Sequence, residues 1–185
     1  FSLFVIVFIF SWLFPILALL VKLESRGPVF FKQKRSGRDN HAFLCYKFRS
    51  MKVDNKYEHK QATLGDPSIT KLGTFLRKTS LDELPKFFNV LIGNMSIVGP
   101  RPHMLSHTEQ YSQLIDQFMV RHFMKPGITG WAQINGLRGE TKTTEAMLER
   151  VEADVWYLEN WTFLLDIKII FNTVWKSVTG DKNAY

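Results

Sequence analysis

Hydrophobic and charged positions are unevenly spread along this chain. Residues 1–21, F-S-L-F-V-I-V-F-I-F-S-W-L-F-P-I-L-A-L-L-V, contain no charged side chain, and a straight helix of that length reaches across the hydrocarbon core of a bilayer. A core helix apolar on every face would need more protein around it than so small a domain supplies, so membrane association is the expectation. Pro15, past the middle of the run, predicts a kink or break. The run has neither the basic leader nor the small-residue cleavage site of a signal peptide. Lys22, Arg26, Lys32, Lys34, Arg35 and Arg38 follow, against Glu24 and Asp39. That excess predicts a cytoplasmic flank held to anionic lipid. Because the chain opens at Phe1 inside an apolar run, it is expected to be the C-terminal part of a longer protein.

Beyond Gly27-Pro28, which should end the first helix, the pattern changes period. Val29–Lys34 and Ala42–Phe48 read as two short strands around a turn at Ser36–Asn40. Asp54–Pro67 is polar and irregular, a surface loop. Ile69, Leu72, Phe75 and Leu76 recur at helical spacing and predict a short amphipathic helix ending at Arg77. Phe87–Ile92 is a strongly apolar helix face, expected in the core. His107–His122, with Tyr111, Leu114, Ile115, Phe118 and Met119, predicts an amphipathic helix, and so does Thr144–Trp161 with Leu148, Val151, Val155 and Leu158. Trp161–Val178 is apolar but for Asp166, Lys168 and Asn172, too interrupted to span and suited to lie in a membrane interface. Four glycines and a proline in Lys125–Gly139 mark turns where backbone comes close to something.

The densest chemistry lies in Arg77–Pro102, R-K-T-S-L-D-E-L-P-K-F-F-N-V-L-I-G-N-M-S-I-V-G-P-R-P. Ser80 and Glu83 have capping-box spacing, although Pro85 suits an N-cap at Leu81 or Asp82 better. In either register Asp82 and Glu83 fall in the first helical turn, where free N–H groups favour negative charge. Arg77, Lys78 and Lys86 flank them. An aspartate so placed should stay ionised, as a nucleophile or a metal ligand must. Pro100 and Pro102 stiffen the backbone around Arg101, whose guanidinium then suits bidentate contact with a phosphate. An Asp-Glu pair at a helix start is by itself more often a capping device than a catalytic one.

Composition narrows the picture further. The 185 residues are 45% hydrophobic with sixteen Phe and five Trp, enough for one sizeable core and an aromatic surface besides. A net charge of +7 fits an anionic membrane, nucleic acid or a phosphorylated substrate. Nucleic acid is excluded because the cations hug the apolar segment and no reading helix or aromatic RNA platform is present. The single Cys45 cannot form an internal disulfide and reads as a small buried hydrophobe. Lys47 and Arg49 could approach phosphates or serve a solvated or membrane-surface role. His103, His107 and His122 lack zinc-site spacing, and neither Walker nor Rossmann glycine patterns occur.

The string R-K-T-S-L-D-E-L-P followed by N-V-L-I-G-N-M-S-I-V-G-P-R-P resembles the bacterial sugar transferases of the single-membrane-segment phosphoglycosyl transferase type. The likeness extends to R-G-P-V-F-F-K-Q-K-R-S-G-R, Y-K-F-R-S-M, K-P-G-I-T-G-W-A-Q-I-N-G and the terminal K-N-A-Y. Members carry a re-entrant helix broken at a Ser-Pro pair, whereas this chain has Phe14-Pro15 with Ser11 a turn earlier.

The resemblance implies an α/β, mostly helical fold that is not doubly wound. A membrane-embedded helix over residues 1–24 would be followed by a membrane-associated catalytic domain over 25–185, on the cytoplasmic face of the bacterial inner membrane. It implies transfer of a sugar phosphate from a UDP-sugar to a polyprenyl phosphate, with UMP released and an aspartyl-phosphosugar formed on Asp82. Glu83, with Asp82, would hold Mg2+. Arg101 would clamp phosphate, Arg77 support the carboxylates, and Arg138 help hold the nucleotide diphosphate. The string around Arg138 most resembles glucose-1-phosphate transferases, with galactose or an N-acetylated sugar as the rival donors. A competing reading is a catalytically silent membrane module that binds lipid or organises a glycan-assembly complex. A homo-oligomer is left open.

Overall fold

The computed structural model describes residue 7 and residues 11–53, 66–139, 141 and 143–179. Residues 1–6 and 8–10 of the uncharged leader, residues 54–65 of the 54–67 loop and the K-N-A-Y ending lie outside the described residues.

The chain is a mixed α/β fold in which helices outweigh two small sheets. Helix α1 (Ser11–Glu24) runs through Pro15, and the carbonyl deprived of its usual donor is that of Ser11, the first residue of the helix described. The break expected at Pro15 does not appear: the helix is continuous from Ser11 to Glu24. No helix among the described residues is long and apolar enough to cross a membrane.

Strands β1 (Phe30–Ser36) and β2 (Ala42–Phe48) pair antiparallel from Phe30 opposite Phe48 to Ser36 opposite Ala42. Asp39 and Asn40 take left-handed conformations in the turn, which their short polar side chains tolerate. Both predicted strands are therefore present, each within a residue or two. The sheet carries the first core cluster, in which Leu17 and Val21 of α1 pack on Phe48 and Leu76. Phe14 adds a ring contact to Phe48 at 4.7 Å and to Phe88 at 5.6 Å. Arg49 does not approach the carboxylates. Its guanidinium donates to the carbonyls of Val21, Ser25 and Arg26 and so closes the end of α1.

Helix α2 (Lys71–Lys78) starts on Thr70, whose side chain accepts from Gly73 N at 2.9 Å. Leu76 is buried as predicted, but Phe75 is exposed. Helix α3 (Lys86–Leu91) reverses the sequence expectation. Lys86 and Asn89 are buried at 1% and 0% exposure, while Phe88, Leu91 and Ile92 face outward. Lys86 and Asn89 find charged and backbone partners inside, which is why the helix sits that way round. Asn89 bridges α3 to β2, its Oδ1 accepting from Tyr46 N and its Nδ2 donating to Leu44 O.

Strands β3 (Ser96–Val98) and β4 (Gly127–Thr129) pair in parallel. Here Gly127 and Gly130 find their reason: a Cβ on Gly127 would lie 2.2 Å from Gly99 N, and one on Gly130 2.3 Å from Gly99 O. These two serve backbone–backbone contact at this crossing, whereas Gly136 supplies a positive φ. The amphipathic helix expected over His107–His122 is broken. Helix α4 (Leu105–Tyr111) gives way to turns and a 3-10 turn at Phe118–Phe123, leaving Leu114 and Met119 outside while Tyr111, Ile115 and Phe118 enter a second cluster. That cluster is completed by Met147, Val151 and Val155 of α6 (Thr144–Glu159), with the short α5 (Trp131–Ile134) between. A third cluster joins Val98, Ile134, Tyr157 and Ile169, the last on α7 (Phe163–Thr179). Tyr157 donates to Asp166 at 2.6 Å and fixes α7 against α6.

Candidate active site

Asp82 and Glu83 sit in a 3-10 turn, Leu81–Glu83, between α2 and α3. The capping box does not form. Ser80 has φ 60° and ψ 13°, and its side chain caps nothing. Its Oγ instead accepts from Arg138 Nη1 at 2.9 Å. Pro85 caps α3 with φ −60°, its missing N–H costing nothing at a helix start. The dyad thus precedes α3 rather than opening it, and its charge is met by side chains rather than by helix N–H groups.

Glu83 is the hub. Its Oε1 takes Lys47 Nζ at 2.9 Å and Arg101 Nη2 at 3.0 Å, and its Oε2 takes Lys86 Nζ at 3.1 Å. Burial opposes its ionisation, but Arg101, Lys47 and Lys86 outweigh burial and hold the carboxyl well below the usual carboxylate range. Lys86 is pushed down by burial to about 8, against the pull of Glu83. The Glu83 charge in turn holds the Arg101 guanidinium more firmly protonated.

Asp82 is buried beside this hub with Oδ1 unpartnered. Burial pushes its carboxyl up; Lys47 opposes that, Glu83 adds to it, and Arg77 and Arg138 oppose it. The direction is upward because the turn withdraws Asp82 from water without giving Oδ1 a donor. Lys47, Lys86, Arg77, Arg101 and Arg138 all bear on the dyad. Five cations face two carboxylates, so the site has positive charge to spare for an anion.

All five residues singled out from the sequence therefore converge. Arg77 is anchored by Nε to Ser50 Oγ at 2.8 Å, and its charge reaches Asp82. Lys47 belongs to the carboxylate cluster rather than to a solvated surface. Lys86 and Asn89 were not assigned to a site from the sequence. The three-residue spacing of Glu83 and Lys86 was the available signal for the first; for Asn89 there was none.

The dyad also suits a divalent cation. Asp82 Oδ1 is a buried hard oxygen without a hydrogen-bond partner, and Glu83 Oε2, with one cation where Oε1 has two, keeps an acceptor position. Among the described residues no group of three or more His, Cys, Asp or Glu side chains converges as a metal cage, so substrate oxygens and water would complete such a shell.

A sequence model of the bacterial sugar transferases matches residues 1–180. The chain is 59% identical over 170 residues to a UDP-glucose:undecaprenyl-phosphate glucose-1-phosphate transferase of Escherichia coli K12, covering 91% of this chain and 36% of that protein. Relatives with the same description in Klebsiella pneumoniae and Xanthomonas campestris are 54% identical over 97% of the chain and 52% identical over 91%, covering 39% and 35% of those proteins. The chain spans little more than a third of the length of these curated relatives.

Proposed function

The chain belongs to the bacterial sugar transferase family, and from that premise we propose that it moves a hexose-1-phosphate from a UDP-sugar to a polyprenyl phosphate. Glucose is the favoured sugar and undecaprenyl phosphate the favoured acceptor, because the Escherichia, Klebsiella and Xanthomonas relatives are described by those substrates. The observation that carries the reading is Asp82, a buried carboxyl with an unpartnered oxygen inside a cluster of cations.

In the first step an Asp82 oxygen attacks the sugar-bearing phosphorus of the diphosphate. The new P–O bond forms as the phosphoanhydride bond breaks, and UMP leaves with the bridging oxygen. The arriving diphosphate brings the negative charge that the surplus cations favour. Arg101, already anchored to Glu83 through Nη2, keeps Nη1 unpartnered for a phosphate oxygen. Lys47 and Arg138 act on Asp82 by charge and favour the ionised form it needs as a nucleophile. In the second step a phosphate oxygen of the acceptor attacks the same phosphorus, freeing the Asp82 carboxylate and giving a polyprenyl-diphospho-sugar. Mg2+ held by Asp82 Oδ1 and Glu83 Oε2 would neutralise the diphosphate oxygens.

The same reading places the domain on the cytoplasmic face of the bacterial inner membrane. Phe163, Leu164, Phe171 and Trp175 on α7, with Leu91 and Ile92 at the end of α3 and Leu19 and Leu23 on α1, leave apolar side chains exposed. Burying such side chains in lipid would bring the site to its insoluble acceptor. A silent lipid-binding module is not favoured, since it would not need the buried dyad and its cations.

The test is incubation with Mg2+ and a panel of UDP-sugars without lipid acceptor. UMP release and a mass gain of one hexose phosphate on the intact protein, both lost in Asp82→Asn, are expected. Release only when acceptor is present, with no mass gain, would replace the covalent route by direct transfer.

A further inference from the structure

Four successive carbonyls of the Pro100–His103 loop are bonded, to three different parts of the chain. Pro100 O accepts from Gly127 N at 2.9 Å, and His103 O from Ser36 N at 3.1 Å. Between them, Arg101 O accepts from Arg121 Nη2 at 2.8 Å and Pro102 O from Arg35 Nη1 at 3.2 Å. Prolines at 100 and 102 have no N–H, so the loop is held mainly through its carbonyls. What grips those carbonyls decides where the Arg101 side chain points.

Arg121 is the buried part of that grip. The same Nη2 that donates to Arg101 O lies 2.6 Å from Asp154 Oδ2, and both side chains are at most 3% exposed. Its Nη1 lies 2.7 Å from His103 Nδ1. One planar guanidinium therefore joins the main chain of Arg101, the ring of His103 and a carboxylate on α6. Arginine's fixed fork suits such a joint because its donors cannot rotate independently. A buried ion pair is weak evidence for stability, because desolvation offsets most of its attraction. It does supply a defined position, and here the position it defines is that of the loop whose side chain meets Glu83 3.0 Å away.

We propose that Asp154, acting through Arg121, is a positioning residue for Arg101, setting the guanidinium against Glu83 and the incoming phosphate. This rests on the transferase reading of the site. The carboxylate of Asp154 pairs with Arg121 rather than with either member of the dyad; its effect on turnover passes through Arg121 to the Arg101 carbonyl and the His103 ring.

The test is a double-mutant cycle on the full chain, read as turnover of UDP-glucose and as the Kd of UDP-glucose. Asp154→Asn keeps the shape and removes the charge, and should lower turnover roughly tenfold, as small misplacements of a transition-state group do. Combined with Arg101→Lys, it should cost nothing further in either readout. Asp154→Glu, which keeps the charge on a longer arm, should recover part of the loss and stands in if Asp154→Asn does not fold. An equal loss with Arg101 present or replaced would make Asp154 merely structural and overturn the proposal, as would full turnover in Asp154→Asn. Wild-type protein that turns over no UDP-sugar would instead defeat the transferase reading.

Discussion

Lys86 Nζ lies 3.1 Å from Glu83 Oε2, with Lys86 1% exposed and Glu83 7%. This pair, three residues apart, turns α3 so that its charged face looks inward and Phe88, Leu91 and Ile92 look out. An ammonium group and a carboxylate placed in the core must find each other, and once they have, the apolar face of the helix is left to other company.

Replacing Glu83 should therefore damage the fold as well as the chemistry. Glu83→Gln leaves Lys47, Lys86 and Arg101 converging on a neutral amide. Breaking a buried pair in this way costs about 3–5 kcal/mol. A clear drop in the thermal midpoint beside lost UMP release is expected; unchanged stability would show that the cations do not depend on that anion.

Asp82→Asn should behave in the opposite way. It removes a buried charge whose Oδ1 has no partner, so stability should be unchanged or higher while transfer is abolished. Residual UMP release above background would take the nucleophile's role from Asp82.

The left-handed Ser80 can be separated from its hydrogen bond. Ser80→Ala and Ser80→Gly both lose the bond from Arg138, but only glycine relieves the positive φ. Ser80→Gly should be the more stable of the two by about 1 kcal/mol in denaturant unfolding. Equal stabilities would mean that the turn relaxes once Arg138 is released.

Stability should also depend on two histidines. Burial first, and Arg121 next, hold His103 well below 6.5 and bring His122 down to about 4. The unfolded chain binds protons near pH 6.5 where the folded one does not. Stability is therefore whole above that pH and is lost as pH falls from about 6.5 toward the folded values. Asp82 and Asp154, raised by burial, act in the opposite sense. The histidine share is thus the difference between the parent and a His103→Asn/His122→Asn variant. Thermal midpoints from pH 7.5 to 5 should fall more steeply in the parent; parallel profiles would refute the assignment.

Membrane contact by α7 makes a separate demand. Phe163→Glu with Phe171→Glu, both at exposed positions, should weaken sedimentation with vesicles of anionic phospholipid and leave the thermal midpoint in place. Undiminished sedimentation would move the contact to α1 and α3.

What the residue order determined by itself was local. Strands β1 and β2, the short helix ending at Arg77 and the helix after Thr143 were legible because turn chemistry and side-chain period act over a few positions. Asp82, Glu83 and Arg101 were legible because dense charged residues between prolines, and their likeness to a known family, lie in one stretch. Only the tertiary structure decided how they are used. The partners of Glu83 come from Lys47 and Arg101, 36 and 18 positions away, and the Arg101 carbonyl is gripped by Arg121, 20 positions on. No period encodes such meetings. They also turned α3 inside out and undid the capping box, since a buried charge costs more unpaired than a leucine costs exposed. Pairing the charges in the core settled the orientation that hydrophobic spacing alone had assigned the other way.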